Sequence, residues 1–128
     1  MSMEAMKQHG AFSWNELATP DVASAKSFYS SLLGWKFKDV DNSPMPYMIA
    51  ETGDTEVAGI METPKEAVGM PPMWGGYVTV DDVDERTKRA QELGASIYVE
   101  PRDIPKVGRF AVIADPQGAM LSMITYSK

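Results

Sequence analysis

The sequence contains no cysteine, which excludes disulfides, thiolate metal ligands and a cysteine nucleophile in one step. Histidine is almost as scarce. The single imidazole, His9, precedes the first strand pattern and reads as a surface residue rather than a ligand. Long apolar runs are missing too, and nothing approaches the roughly 18–20 residues that span a bilayer. Met1 to Gly10 carries Glu4 and Lys7 and lacks the apolar core of a signal peptide. It reads as a short, partly disordered lead-in, with a cytoplasmic location and no membrane partner expected. Basic residues are outnumbered, 12 Lys and Arg against 18 Asp and Glu for a net charge of −6. They are also scattered: Lys36 and Lys38 alternate along one strand pattern, while Lys65, Lys88, Arg89 and Lys106 lie apart. A duplex binder needs a basic stripe to neutralise phosphates, so no nucleic-acid partner is expected.

What is present fits one domain. A chain of 128 residues, 44% hydrophobic and 23% charged, can bury roughly two-thirds of its unfolded surface. Ten methionines are many for this length. Such adaptable side chains fill irregular core gaps or make malleable pocket walls, and core filling is the commoner use.

The chain also repeats itself once. From Thr19 to Gly34 the sequence opens with helix-start chemistry: Thr19 to accept from free amides, Pro20 for the first turn, Asp21 for the positive end of the dipole. Val22, Ala25, Phe28, Tyr29, Leu32 and Leu33 then fall at helical spacing, and Gly34 suits the left-handed stop. From Asp81 to Gly94 the pattern recurs. Asp81 or Asp82 caps, Val83, Thr87, Ala90 and Leu93 face inward, and Gly94 ends the helix. Asp21-Val22 matches Asp82-Val83 at an offset of 61, and Leu33-Gly34 matches Leu93-Gly94 at 60.

The flanks repeat as well. Strand patterns precede each helix at Phe12 to Thr19 and Trp74 to Val80. Three follow the first helix, at Trp35 to Val40, Tyr47 to Glu51 and Glu56 to Glu62, divided by turn-rich Asp41 to Pro46 and Thr52 to Thr55. Three follow the second, at Ser96 to Glu100, Arg109 to Ala114 and Met120 to Tyr126, the last two joined by a tight Asp115 to Gly118 turn. Each half is β-α-β-β-β, an α+β arrangement in one domain over 1–128. The first module is expected over 12–63, a Pro-, Gly- and Met-rich linker over 64–72, and the second module over 73–126. Four strands with one helix leave one sheet face bare, and two bare faces can enclose a ligand cleft.

Several of these segments resemble a known family. Trp14 to Asp21, then Phe28-Tyr29, then Leu33-Gly34-Trp35, is similar to the opening of vicinal-oxygen-chelate proteins, the glyoxalase/bleomycin-resistance/dioxygenase superfamily. Asp115 to Ala119 before an apolar strand resembles their closing hairpin. Trp14-Asn-Glu-Leu17 and Gly108 to Phe110 narrow the likeness to a glyoxalase-like branch, and it covers the chain from about Phe12 onward. The resemblance implies two βαβββ modules whose curled mixed sheet surrounds a cavity. It also implies a divalent metal held by His, Gln or Glu from the first, fourth, fifth and eighth strands. Carried over residue by residue, those positions are Trp14, a site near Gly59, Gly75 and Ser122. Trp14, Gly75 and Ser122 offer no good ligand, while Glu56 and Glu62 lie close to the fourth-strand position with their facing left open. No metal and no cofactor are therefore expected.

Strand alternation then gives an expected lining of Trp14, Glu16, Tyr77, Thr79, Met120 and Ser122, with Leu17 under the helix. Glu16 among aromatics is the candidate acid, base or cation anchor, its lost hydration raising its affinity for a proton; Arg109 is its alternative partner. Tyr77 is the candidate hydroxyl donor, while Trp35 and Trp74 read as core. The leading expectation is a small-molecule binding or sequestering protein of bleomycin-resistance type, its acidic balance suited to cationic ligands. The alternative is a glyoxalase-family enzyme (a lyase, isomerase or hydroxylase-like catalyst) using Glu16 or a non-standard metal site. A third reading makes the chain a partner protein docking through Met70 to Trp74. A homodimer is expected, because such modules leave sheet edges and an apolar seam to cover.

Overall fold

The computed structural model describes residues 4–40, 47–63 and 69–127. The expected turn over 41–46, Lys65 and most of the expected linker lie outside them. In chain order the elements are β1 (Phe12–Thr19), α1 (Val22–Leu33), β2 (Lys36–Asp39), β3 (Tyr47–Thr52), β4 (Thr55–Glu62), β5 (Met73–Thr79), α2 (Val83–Glu92), β6 (Ser96–Ile104), β7 (Gly108–Ala114) and β8 (Met120–Tyr126). The class is mixed α+β and the order is βαβββ twice. No helix among the described residues is long and apolar enough to cross a membrane.

The helix ends follow from local chemistry. Asp21 is the N-cap of α1, accepting the Ser24 amide at 3.0 Å, so the helix begins two residues later than a Thr19 cap would place it. Thr19 instead accepts the Asp21 amide at 3.2 Å, which fixes the turn leading in. Gly34, at φ 73°, closes α1 in the left-handed conformation and donates to Ser30. Asp82 caps α2 by accepting from the Asp84 and Glu85 amides.

The chain forms two compact units, residues 14–75 and residues 2–13 with 76–128. In the first the strand order is β2-β3-β4-β1, with β1 parallel to β4 and the other pairs antiparallel. In the second it is β5-β8-β7-β6, with β5 parallel to β8. The same pairing recurs in each half, first strand against last, as an internal repeat requires.

Burial separates the faces. In the second unit α2 packs on the sheet through Val83, joined by Val80, Ala111, Ile113 and Met123. Leu93 does not join them: it is the C-cap residue of α2, past the last full turn, and is 61% exposed. In the first unit Leu17, Ala50, Ala58 and Ile60 are buried, whereas no residue of α1 is. Phe28, Leu32 and Leu33 on that helix are at least half exposed. Trp35 and Trp74 are not core either. With Tyr29 they form an aromatic cluster, Tyr29 stacked on Trp35 at 5.6 Å and Trp74 donating its indole N–H to the Tyr29 hydroxyl at 3.0 Å. Trp74 is 41% exposed, because β5 pairs with β8 only from Tyr77 onward.

Candidate functional site

Register decides which side chains share a face. In the first unit Glu16 lies opposite Gly59 and Leu17 opposite Ile60. Leu17 and Ile60 point to the buried face, so Trp14, Glu16 and Gly59 share the other. Tyr47 joins them from β3. Its hydroxyl accepts the Trp14 indole N–H at 3.0 Å, and it occupies the space that a Cβ on Gly59 would need. A glycine inside a strand often marks such a close approach. Glu56, near the same position, is turned to Lys38, 2.7 Å from its ammonium. That hydrogen bond, helped by Glu51, holds Lys38 above the ordinary lysine range.

In the second unit α2 covers the face of Ala111, Leu121 and Met123, leaving Tyr77, Phe110, Ser122 and Ile124 on the other. Tyr77 pairs with Ser122, Phe110 with Ile124, and Arg102 with Phe110. The Tyr77 and Phe110 rings lie 6.4 Å apart, and the Arg102 guanidinium sits 5.8 Å above the Phe110 ring. Thr79 is on this face, but it is buried and its hydroxyl donates to the Ala5 carbonyl at 2.7 Å. Met120 lies at the far end, opposite Ala114.

The lead-in segment holds its place on this unit. Residues 4–10 form turns, Gly10 and Ala11 exchange backbone hydrogen bonds with Thr79, and His9 accepts the Asp81 amide at 3.0 Å. From Glu4 onward, then, the segment expected to be partly disordered is tied to β5. Ser13 is fully buried, its hydroxyl 2.7 Å from that of Tyr126. Burial pushes the Tyr126 phenol up, partly offset by the Ser13 bond. Arg109 is engaged elsewhere: it grips Asp84 through two nitrogens, at 2.9 and 3.1 Å, and Asp103 through a third. That grip holds the Asp84 carboxyl below its usual range and Arg109 above its own. An open depression of about 380 Å³ beside it is lined by Ile104, Lys106, Gly108, Arg109, Thr125 and Tyr126. None of the residues expected to line a ligand site borders it.

The structure thus places Trp14 and Glu16 on one face of the first unit, and Tyr77, Thr79, Met120 and Ser122 on one face of the second. Tyr47, Phe110 and Arg102 on those faces were missed in the sequence. The positions where the resemblance implies metal ligands carry an indole, which only donates, two glycines and one hydroxyl. At Gly59 even an alanine would collide with Tyr47. Among the described residues no three His, Asp or Glu side chains are grouped to hold an ion. This donor set does not fit a divalent metal.

Comparison with known proteins agrees with the fold. The chain is 38% identical over 120 residues to "Putative glyoxylase CFP32" of Mycobacterium bovis, across 93% of this chain and 45% of that one. It is 34% identical over 127 residues to the anthracycline biosynthesis protein DnrV of Streptomyces peucetius, across 89% and 46%. The chain therefore spans about half the length of these relatives. The crystal structure of methylmalonyl-CoA epimerase from Mycobacterium tuberculosis superposes with a TM-score of 0.61 at 16% identity, covering 93% of this chain and 89% of that one, a likeness of fold. Residues 11–123 match the pattern of the Glyoxalase/Bleomycin resistance protein/Dioxygenase superfamily, and the chain belongs to that family.

Proposed function

We propose that this domain binds a small, flat, largely apolar organic molecule and holds it without a metal ion, as a binding or sequestering protein of bleomycin-resistance type. The observation that carries this reading is the Trp14–Tyr47 pair lying over Gly59. It puts aromatic surface and one fixed hydrogen bond where a chelating family member needs a ligand. Tyr77 and Phe110 supply similar surface in the second unit, and aromatic walls with few polar groups are the usual make-up of small-molecule sites. The relative named for anthracycline biosynthesis supports a polycyclic aromatic ligand.

The test is a screen of polycyclic aromatic compounds by quenching of tryptophan fluorescence, with metal content measured on chain purified without affinity nickel. Micromolar binding that Trp14→Ala weakens, at well under one ion per chain, supports the reading. A stoichiometric ion that is needed for binding overturns it. A second reading rests on Glu16, half-buried on the same face as Trp14 and opposite Gly59: the carboxylate acts as acid or base in a metal-free lyase or isomerase. Turnover of a bound compound, lost in Glu16→Gln, distinguishes it from binding alone.

A further inference from the structure

The second unit carries a cation on its helix-free face that the net charge of −6 conceals. We infer that this face takes an aryl carboxylate, with Arg102 receiving the carboxylate and Phe110 and Tyr77 packing the ring. The inference rests on the small-molecule reading above and adds the ligand's charge. Arg102 reaches the face because it pairs with Phe110 across β6 and β7, its guanidinium 5.8 Å from the ring centre. The ring face attracts a cation at this distance, and the guanidinium presents N–H groups that can donate side by side to a planar carboxylate.

The neighbouring groups leave Arg102 available. Asp103, the adjacent acid, points the other way and is bound to Arg109 at 3.1 Å. Among the described residues Arg102 pairs with no carboxylate. The Ser122 hydroxyl, opposite Tyr77 on the same face, likewise makes no hydrogen bond among the described residues, and can serve the second carboxylate oxygen. An arginine over an aromatic ring, a free hydroxyl and a second ring at 6.4 Å together match an aromatic acid. They do not match a cationic drug, the ligand that the overall acidity suggested.

The experiment compares 2-naphthoate with neutral 2-naphthamide, titrated by calorimetry and mapped by amide chemical shifts on isotope-labelled chain. Wild type should bind the acid about tenfold more tightly, the scale of one charge-assisted hydrogen bond, with shifts centred on Arg102, Phe110 and Ser122. Arg102→Gln, at an exposed position, should abolish that preference and leave the amide's affinity unchanged. Phe110→Leu should weaken both. Equal affinity for acid and amide on this face overturns the carboxylate inference and leaves the small-molecule reading standing. So does a preference that survives in Arg102→Gln. Absence of either compound from this face overturns the inference as well, and the small-molecule reading is then judged by the polycyclic screen at Trp14.

Discussion

Alanine is ordinarily better than glycine inside a strand, by about 0.5–1 kcal/mol of backbone entropy. At position 59 the structure reverses that expectation. A Cβ there overlaps the Tyr47 hydroxyl and ring Cζ and lies 2.9 Å from ring Cε1, so Gly59→Ala must swing the Tyr47 ring aside. The swing breaks the Trp14–Tyr47 hydrogen bond, about 0.5–1.5 kcal/mol, and repacks an aromatic side chain, about 1–3 kcal/mol. Set against the backbone gain, the net cost is about 0.5–4 kcal/mol. Urea denaturation of Gly59→Ala, Tyr47→Val and the double variant measures it. In the Tyr47→Val background Gly59→Ala should become neutral or slightly stabilising, a coupling of about 1–3 kcal/mol for residues in contact. Tyr47→Phe should rescue little, because the ring carbons stay in the way. Stabilisation by Gly59→Ala in wild type, or the same change in both backgrounds, would refute the packing argument and with it the account of the missing ligand.

Four further outcomes follow from the same geometry. The Asp84 carboxyl is depressed by Arg109; its contribution to stability is therefore present above the unfolded carboxylate value near 3.9 and lost as pH falls through the lower folded value. Asp84→Asn should flatten that acid limb in a melting series between about pH 5 and 2. Tyr126 is raised by burial, so its contribution holds below the unfolded phenol value of about 10 and is lost as pH rises through the folded one; Tyr126→Phe should remove that alkaline slope. Glu16→Gln should leave the melting temperature nearly unchanged and weaken an identified ligand by about 1.5–3 kcal/mol if the carboxylate bonds it, and unchanged binding and turnover would end its functional role. A second copy of the chain should cover the exposed stripe of Phe28, Leu32 and Leu33, giving a sedimentation mass twice 14.1 kDa that Leu32→Glu reduces to one chain, whereas a single-chain mass at all concentrations would contradict it.

Most of the fold was legible because it rests on local signals. Gly34 and Asp82 mark helix ends by capping chemistry, Asp21 takes the cap expected of Thr19, and the spacing between the two helix patterns exposes the repeat. The site was legible only where strand alternation holds. Trp14 and Glu16 share a face as alternation requires, and Tyr77 pairs with Ser122 for the same reason. Arg102 was lost because the strand pattern was read only from Ser96 to Glu100; β6 instead runs on to Ile104. Its two register shifts, between Ile97 and Val99 and between Val99 and Arg102, run the same way and together restore the original facing by Arg102, so plain alternation over a longer strand would have found it. Ser13 and Tyr126 meet across 113 positions, and no local pattern announces such a pair. Gly59 did carry a signal, a glycine within a strand, but the sequence does not say which side chain fills its space.

Losing the metal ligands changes what this fold can supply. A bound divalent ion polarises a substrate oxygen and lowers the pKa of bound water, worth several kcal/mol at the transition state. An indole N–H, a phenol and a serine hydroxyl offer single hydrogen bonds worth about 0.5–1.5 kcal/mol each, and they accelerate a reaction only where they hold its transition state more tightly than its ground state. Binding felt equally by the two states lowers a dissociation constant without accelerating a reaction. Glu16 and Tyr77 are the groups among the expected lining residues whose protonation could add chemistry. Arg102 acts in the opposite direction, because its charge is fixed at any physiological pH. It can select an anion and hold its orientation, but it cannot serve as the proton donor.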